Sequence, residues 1–162
     1  MRVFLGSDHA GFELKAHLLH VLAEAGHEPV DCGAVEYDTR DDYPPFCFAV
    51  GERTVAEPGT LGVVIGGSGN GEQIAANKVP GVRAALAWNE ETARLAREHN
   101  DANVVSIGAR EHTVEVATEL VQLFLATQFS EDPRHVRRIG LVSDYERDRH
   151  RPAGGLPTRT EQ

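Results

Sequence analysis

Short apolar runs alternate along the chain with stretches whose apolar residues recur every three or four positions. Val3-Phe4-Leu5, closed by Gly6, reads as a buried strand. Leu14, Leu18, Val21, Leu22 and Ala25 then fall at helical spacing within 12–25, and Gly26 supplies a stop. A short second strand fits around Pro29-Val30. Asp42 ahead of Tyr43-Pro44-Pro45 predicts an N-cap with proline in the first turn, opening a helix to about Glu57. Leu61-Gly62-Val63-Val64-Ile65 is the clearest strand and runs directly into Gly66-Gly67-Ser68-Gly69-Asn70-Gly71. A helix over 72–77, a strand over 84–87, a helix over 90–99 and a strand over 104–107 follow. The amphipathic stretch 113–127 comes next, with Val114, Ala117, Val121 and Phe124 on one face. Strands spaced by helices imply right-handed crossovers and a parallel sheet. The expected fold is a Rossmann-like, doubly wound α/β domain of five strands in three layers.

After Pro133 the pattern changes. Residues 134–149 permit a helix, but Val136, Ile139, Leu141, Val142 and Tyr145 form only a narrow apolar stripe. That stripe suits packing on a partner subunit or on its own domain. The expected organisation is one domain over 1–149, with a C-terminal helix at about 131–149, and a flexible tail over 150–162 rich in Gly and Pro. The chain shows no internal repeat.

Composition sharpens this picture. In 162 residues, 41% apolar and 25% charged, there is room for one globular core. The formal charge of −9 argues against nucleic acid as a partner. The charge is uneven, however. Residues 1–133 carry 9 basic and 21 acidic side chains, whereas 134–162 carry 7 basic and 4 acidic. The total therefore conceals a local basic site able to hold one small anion. Two cysteines, Cys32 and Cys47, form no disulfide framework or metal clip, and both are expected in the core, away from the strand ends. The N-terminus turns polar after five residues, and no run nears the ~20 apolar residues of a membrane span. These features predict a protein of a reducing compartment, most simply the cytoplasm.

In open α/β sheets ligands bind beyond the carboxyl ends of the strands. Four polar groups are expected there: Ser7-Asp8-His9-Ala10-Gly11 after the first strand, the glycine loop with Glu72 after the third, His99-Asn100 at the end of the fourth helix, and Gly108-Ala109-Arg110 after the fifth strand. Four glycines in six residues suit backbone N–H groups converging on an anion, or a tight turn needing positive φ. The spacing is neither a dinucleotide fingerprint nor a P-loop. Glu72 suits either a first-turn glutamate at a helix dipole or a carboxylate base beside amide donors. No pair among Asp8, His9 and His99 has the spacing of a preformed metal site, so no metal or other cofactor is expected. Arg134 and Arg138, four apart, share a helix face that could fork a phosphate.

As a set, DHAGFELK at 8–15, GGSGNGEQIAANK at 66–78, AREHNDAN at 96–103, GAR at 108–110 and RHVRRI at 134–139 resemble the B-type ribose-5-phosphate isomerases, over about residues 1–147. The resemblance implies a metal-free homodimer, with an active site shared between subunits, that interconverts ribose 5-phosphate and ribulose 5-phosphate. By position, Glu72 matches the general base and His99 the residue that assists ring opening. Asp8 and His9 match sugar-binding positions, and Asn100 another substrate contact. Gly67, Ser68, Gly69, Asn70 and Gly71 match the loop that holds the enediolate. Arg110, Arg134 and Arg138 match phosphate-binding positions, the last two implied to come from the neighbouring subunit. One branch of the family uses a cysteine base where this chain has Gly66, so the assignment here falls on Glu72. An isomerase of a six-carbon sugar phosphate and a non-catalytic sugar-phosphate-binding module are the alternative readings.

Overall fold

The structure, a computed structural model, describes residues 1–149. The chain divides into two compact units, one from Met1 to Phe129 and one beginning at Ser130. The first unit is the expected α/β fold. Strands β1 (Arg2–Ser7), β2 (Glu28–Asp31), β3 (Leu61–Gly66), β4 (Ala84–Leu86) and β5 (Val104–Gly108) form one sheet in the order β2-β1-β3-β5-β4. Every pairing is parallel.

The two-residue period of a strand decides which side chains enter which layer. Val3, Leu5, Val63, Ile65, Val105 and Ile107 point to the face covered by α1 (Phe12–Glu24), α4 (Glu90–Asn100) and α5 (Val114–Ala126). Phe4, Val64 and Val104 point to the other, covered by α2 (Pro44–Ala56) and α3 (Asn70–Ala76). Central strands covered on both faces read as continuous apolar runs, which is why β3 was so legible. Each fully buried Val, Leu or Ile contributes ~1.5–3 kcal/mol, enough together to offset much of the chain's ordering entropy.

Helix ends largely follow their sequence signals. Thr113 caps α5 by accepting from Val116 N, and Asn89 and Thr92 form a reciprocal capping box at α4. The starts of two helices stand apart from expectation. Asp42 does not cap α2: Tyr43 occupies the N-cap without a side-chain bond, and Pro44 and Pro45 set the first turn instead. Helix α3 begins at Asn70, so the last two residues of the glycine loop are helical. Gly69, at φ +80°, makes this early start possible.

In the second unit, α6 (Pro133–Asp148) is capped by Asp132, whose side chain accepts from Arg134 N at 2.8 Å. Val136, Leu141, Val142 and Tyr145 on this helix are exposed, as are Arg134, Arg137 and Arg138. The expected tail over 150–162 lies outside the described residues. Among the described residues, no helix is long and apolar enough to cross a membrane.

Candidate active site

From β1 the chain moves outward to β2, and from β3 it moves the other way to β4, so the switch point lies between the neighbours β1 and β3. Their carboxyl ends open a crevice there. Asp8 follows β1 and caps a 3-10 turn over His9–Gly11, its Oδ1 accepting from Ala10 N at 3.0 Å. That turn rests on the end of β3 so closely that a Cβ at Gly11 would lie 2.8 Å from Ile65 O. Lys15, two per cent exposed, fastens the adjoining segment: its Nζ donates to Asp31 Oδ1 and to Ala34 O, each at 2.6 Å. Ala34 N in turn donates to Ser7 O at 2.8 Å.

Glu72 stands in the first turn of α3 and is four per cent exposed. Its carboxylate folds back over the end of β3, against Gly66. Burial raises its pKa from the ordinary glutamate value, and the negative charge of Asp8 adds to the rise, while the backbone N–H groups of Glu72 and Gly69 oppose it. A carboxylate held this way is a poised proton acceptor. The buried Cys47 thiol sits among the same charges: burial first, then Glu72 and Asp8, push its pKa up to about 12. Cys47 is therefore core, as expected, and it lies near enough to Glu72 and Asp8 to feel their charge. Cys32 directly follows β2 and is half-buried, which corrects its expected distance from a strand end.

Close packing shapes the glycine loop. Only Gly69 has positive φ in this loop, and a Cβ there would strike Leu86 Cδ1 at 2.6 Å. Ser106, fully buried on β5, pins the loop by donating from Oγ to Gly69 O at 2.6 Å. Ser68 Oγ accepts from Asn70 N and Nδ2 at 3.3 and 3.2 Å. Arg110 N donates to Gly67 O at 3.0 Å, which ties the turn after β5 to the loop after β3. Arg110 and His9 both line a cavity of about 280 Å³ with Ala10, Glu13 and Tyr37.

His99 and Asn100 are not at this edge. A helix joining two parallel strands runs back antiparallel to them, so the C-terminal end of α4 lies where the strands begin. Arg83, just before β4, donates from Nε to Asn100 O at 3.0 Å and from Nη2 to Asp101 Oδ2 at 2.9 Å. The length of β5, Val104–Gly108, separates the two edges by roughly 15 Å at ~3.3 Å per residue. The expectation that this helix end faces the same edge is thus corrected: one copy of the first unit brings together Asp8, His9, Gly67, Ser68, Gly69, Asn70, Gly71, Glu72 and Arg110, without His99 and Asn100. Arg134 and Arg138 stand on α6, exposed, with Arg134 Nη2 3.7 Å from Asp132 Oδ2.

Asp41, Ser106 and Tyr43 were not singled out from the sequence. Tyr43 backs the loop, its ring within 2.7 Å of where a Cβ at Gly71 would be. Asp8, His9 and Asp41 bring one oxygen or nitrogen each within 4.8 Å of one another. Asp41 sits in the acidic run DTRDDY, whose composition is that of any solvated loop.

Known proteins share both this sequence and this architecture. The model of the ribose/galactose isomerase family matches residues 3–142. Ribose-5-phosphate isomerase B of Mycolicibacterium paratuberculosis is 60% identical over 94% of this chain and 96% of its own length. The protein of the same name from Mycobacterium tuberculosis is 59% identical over 94% of each. Among solved structures, ribose-5-phosphate isomerase B from Mycoplasma genitalium with bound ribulose-5-phosphate superposes with TM-score 0.87 at 39% identity, covering 91% of this chain and 97% of that one. Type B ribose 5-phosphate isomerase from Trypanosoma cruzi gives TM-score 0.86 at 44% identity, covering 91% and 99%. A family match across nearly the whole of the described chain, joined to identities of this order, leads to one conclusion: the chain belongs to the ribose/galactose isomerase family.

Proposed function

We propose that this protein is a ribose-5-phosphate isomerase, interconverting D-ribose 5-phosphate and D-ribulose 5-phosphate. The observation that carries the reading is the Glu72 carboxylate, buried at the switch point with its pKa raised. After the furanose opens, Glu72 removes the proton from C2. The electron pair released forms the C1–C2 double bond, and the former aldehyde oxygen takes the negative charge. The same carboxyl returns the proton to C1 while the O2 hydroxyl proton passes to O1, so that C2 becomes the ketone. General base catalysis of this kind supplies ~10²–10⁴-fold, and donors around the developing oxyanion supply much of the rest. The glycine loop 67–71 is the source of those donors, and Asp8 and His9 hold the sugar.

His99, as the residue assisting ring opening, and Asn100, as a substrate contact, belong to this mechanism only if a second copy brings them to the crevice. The opposite-edge position of the end of α4 supports a homodimer whose two sites are each built from both chains. Arg110 together with Arg134 and Arg138 receives the phosphate, the last two from the partner, and the exposed apolar stripe of α6 supports packing on that partner. No metal or cofactor takes part in the scheme.

The test is a direct assay of ribulose 5-phosphate formation, with ribose 5-phosphate and allose 6-phosphate compared by kcat/KM and excess chelator present. Preference for the five-carbon substrate, undiminished by chelator and lost in Glu72→Gln, is expected. Undiminished turnover in Glu72→Gln overturns the mechanism.

A further inference from the structure

We propose that Asp41 is a positioning residue that acts through His9, fixing which ring nitrogen of His9 meets the substrate; the proposal rests on the reading of the site given above. Asp41 lies in the segment between β2 and α2, yet its Oδ1 accepts two bonds from His9: from the backbone N at 2.9 Å and from Nδ1 at 2.7 Å. An ionised carboxylate only accepts, so Nδ1 carries the hydrogen. Nε2 is then the nitrogen left for the cavity shared with Arg110. Asp8 is the other carboxylate nearby, but its Oδ2 stands 3.9 Å from Nδ1, beyond hydrogen-bond range. The orienting role therefore falls to Asp41 alone.

Its surroundings separate Asp41 from an ordinary loop carboxylate. Residues 37–40 beside it are exposed, whereas the Asp41 side chain is only 12% exposed. Its Oδ2 is buried and has no hydrogen-bond partner among the described residues. Withdrawing a carboxylate from water costs free energy that must be recovered in specific bonds. Here the side-chain bonds recovered are the pair to His9. The same segment is braced against α1 by Tyr37, whose ring meets Phe12 edge-on at 5.7 Å. Asp41 thus does for His9 what the third member of a catalytic triad does for its histidine: it selects the tautomer and fixes the ring plane. A histidine so held offers Nε2 to the sugar phosphate in one orientation, and a free ring would not.

Two measurements test this. The first needs no turnover: nitrogen-15 spectra of the His9 ring, recorded above the pH at which the same spectra show it losing its charge. The Nδ1–H tautomer is expected in the wild type, and an Nε2–H tautomer overturns the proposal whether or not the protein is an isomerase. The second is a double-mutant cycle on ribose 5-phosphate. Asp41→Ala should raise KM on the order of tenfold with little change in kcat, the factor expected for one charge-assisted hydrogen bond. Asp41→Asn, which keeps an accepting oxygen, should stay within about threefold of wild type by the same reasoning. In a His9→Ala background the Asp41→Ala change should have no further effect. An equal loss in that background, or an Asn variant as impaired as the Ala variant, overturns the positioning role.

Discussion

A Cβ placed on Gly66 would stand 1.8 Å from Glu72 Oε1 and 2.1 Å from its Cδ. The carboxylate occupies the space that any side chain at the end of β3 would need. This gives a steric reason for a feature of the family resemblance, in which one branch carries a cysteine base at the position of Gly66. In the backbone seen here, a side chain at 66 and a carboxylate folded back from 72 exclude each other. A glutamate base folded back from 72 requires bare backbone at 66.

Gly66→Ala should therefore impair turnover while leaving the fold intact, because the added methyl displaces a reacting group and not a core side chain. A 1 Å displacement of a catalytic group can cost ~10²-fold, and a loss of that order in kcat is expected. The check is kcat alongside a thermal melt; full activity in the variant would show that Glu72 works from another position.

Removing the charge of Glu72 should separate activity from stability. Its folded-state pKa lies above the unfolded one, so the protonated form favours folding, and the wild type loses stability as pH rises through the folded value. Glu72→Gln imitates the protonated form at every pH. It should cost roughly 10²–10⁴-fold in kcat yet melt higher than wild type at pH 8, by roughly 2–4 °C for each kcal/mol in a chain of this size. Near pH 4 the difference in melting should shrink. In the wild type, the acid limb of kcat/KM should be displaced upward from the ordinary glutamate value, since the base must be ionised to act.

Mixing two inactive chains tests the shared site. Glu72→Ala and His99→Ala homodimers should each be impaired, but a heterodimer rebuilds one intact site from the wild-type halves. Co-refolding the two, with heterodimers isolated by differential tags, should restore activity well above either parent. Confirmed heterodimers without restored activity would place both groups in one chain's site, against the course of α4. Replacing His99→Ala with Arg138→Ala extends the same test to α6.

The thiols should differ in reactivity. Cys47 is fully buried with its pKa pushed up to about 12, so almost none of it is thiolate at pH 8. Cys32 is only half-buried, although burial raises its pKa as well. Alkylation of the native protein should label Cys32 first and reach Cys47 only when the chain opens, read by mass spectrometry of the digested protein. Rapid labelling of native Cys47 would contradict its burial in the core.

Much of this protein was legible in one dimension because the signals are local. The continuous apolar runs of β1, β3 and β5, the helical spacing of Leu14, Leu18 and Leu22, and the stop at Gly26 are set by neighbours a few residues apart, so they fixed the elements and with them the α/β class. The motifs from Asp8 to Arg138 carried the family in the same way. The capping role expected of Asp42 failed because proline already sets the first turn of α2, leaving Tyr43 at the N-cap without a side-chain bond.

What the sequence could not decide are the relations that depend on direction and on long-range contact. Its place at a helix end made His99 a candidate, but only the antiparallel return of α4 shows that it lies a strand's length from Glu72. No local pattern links Asp41 to His9, 32 positions away, or reveals that Gly66 is bare because a carboxylate from the next helix lies upon it. Local chemistry determined the elements and the residues capable of acid–base work; the strand order and the sense of each crossover decided which of them share an edge.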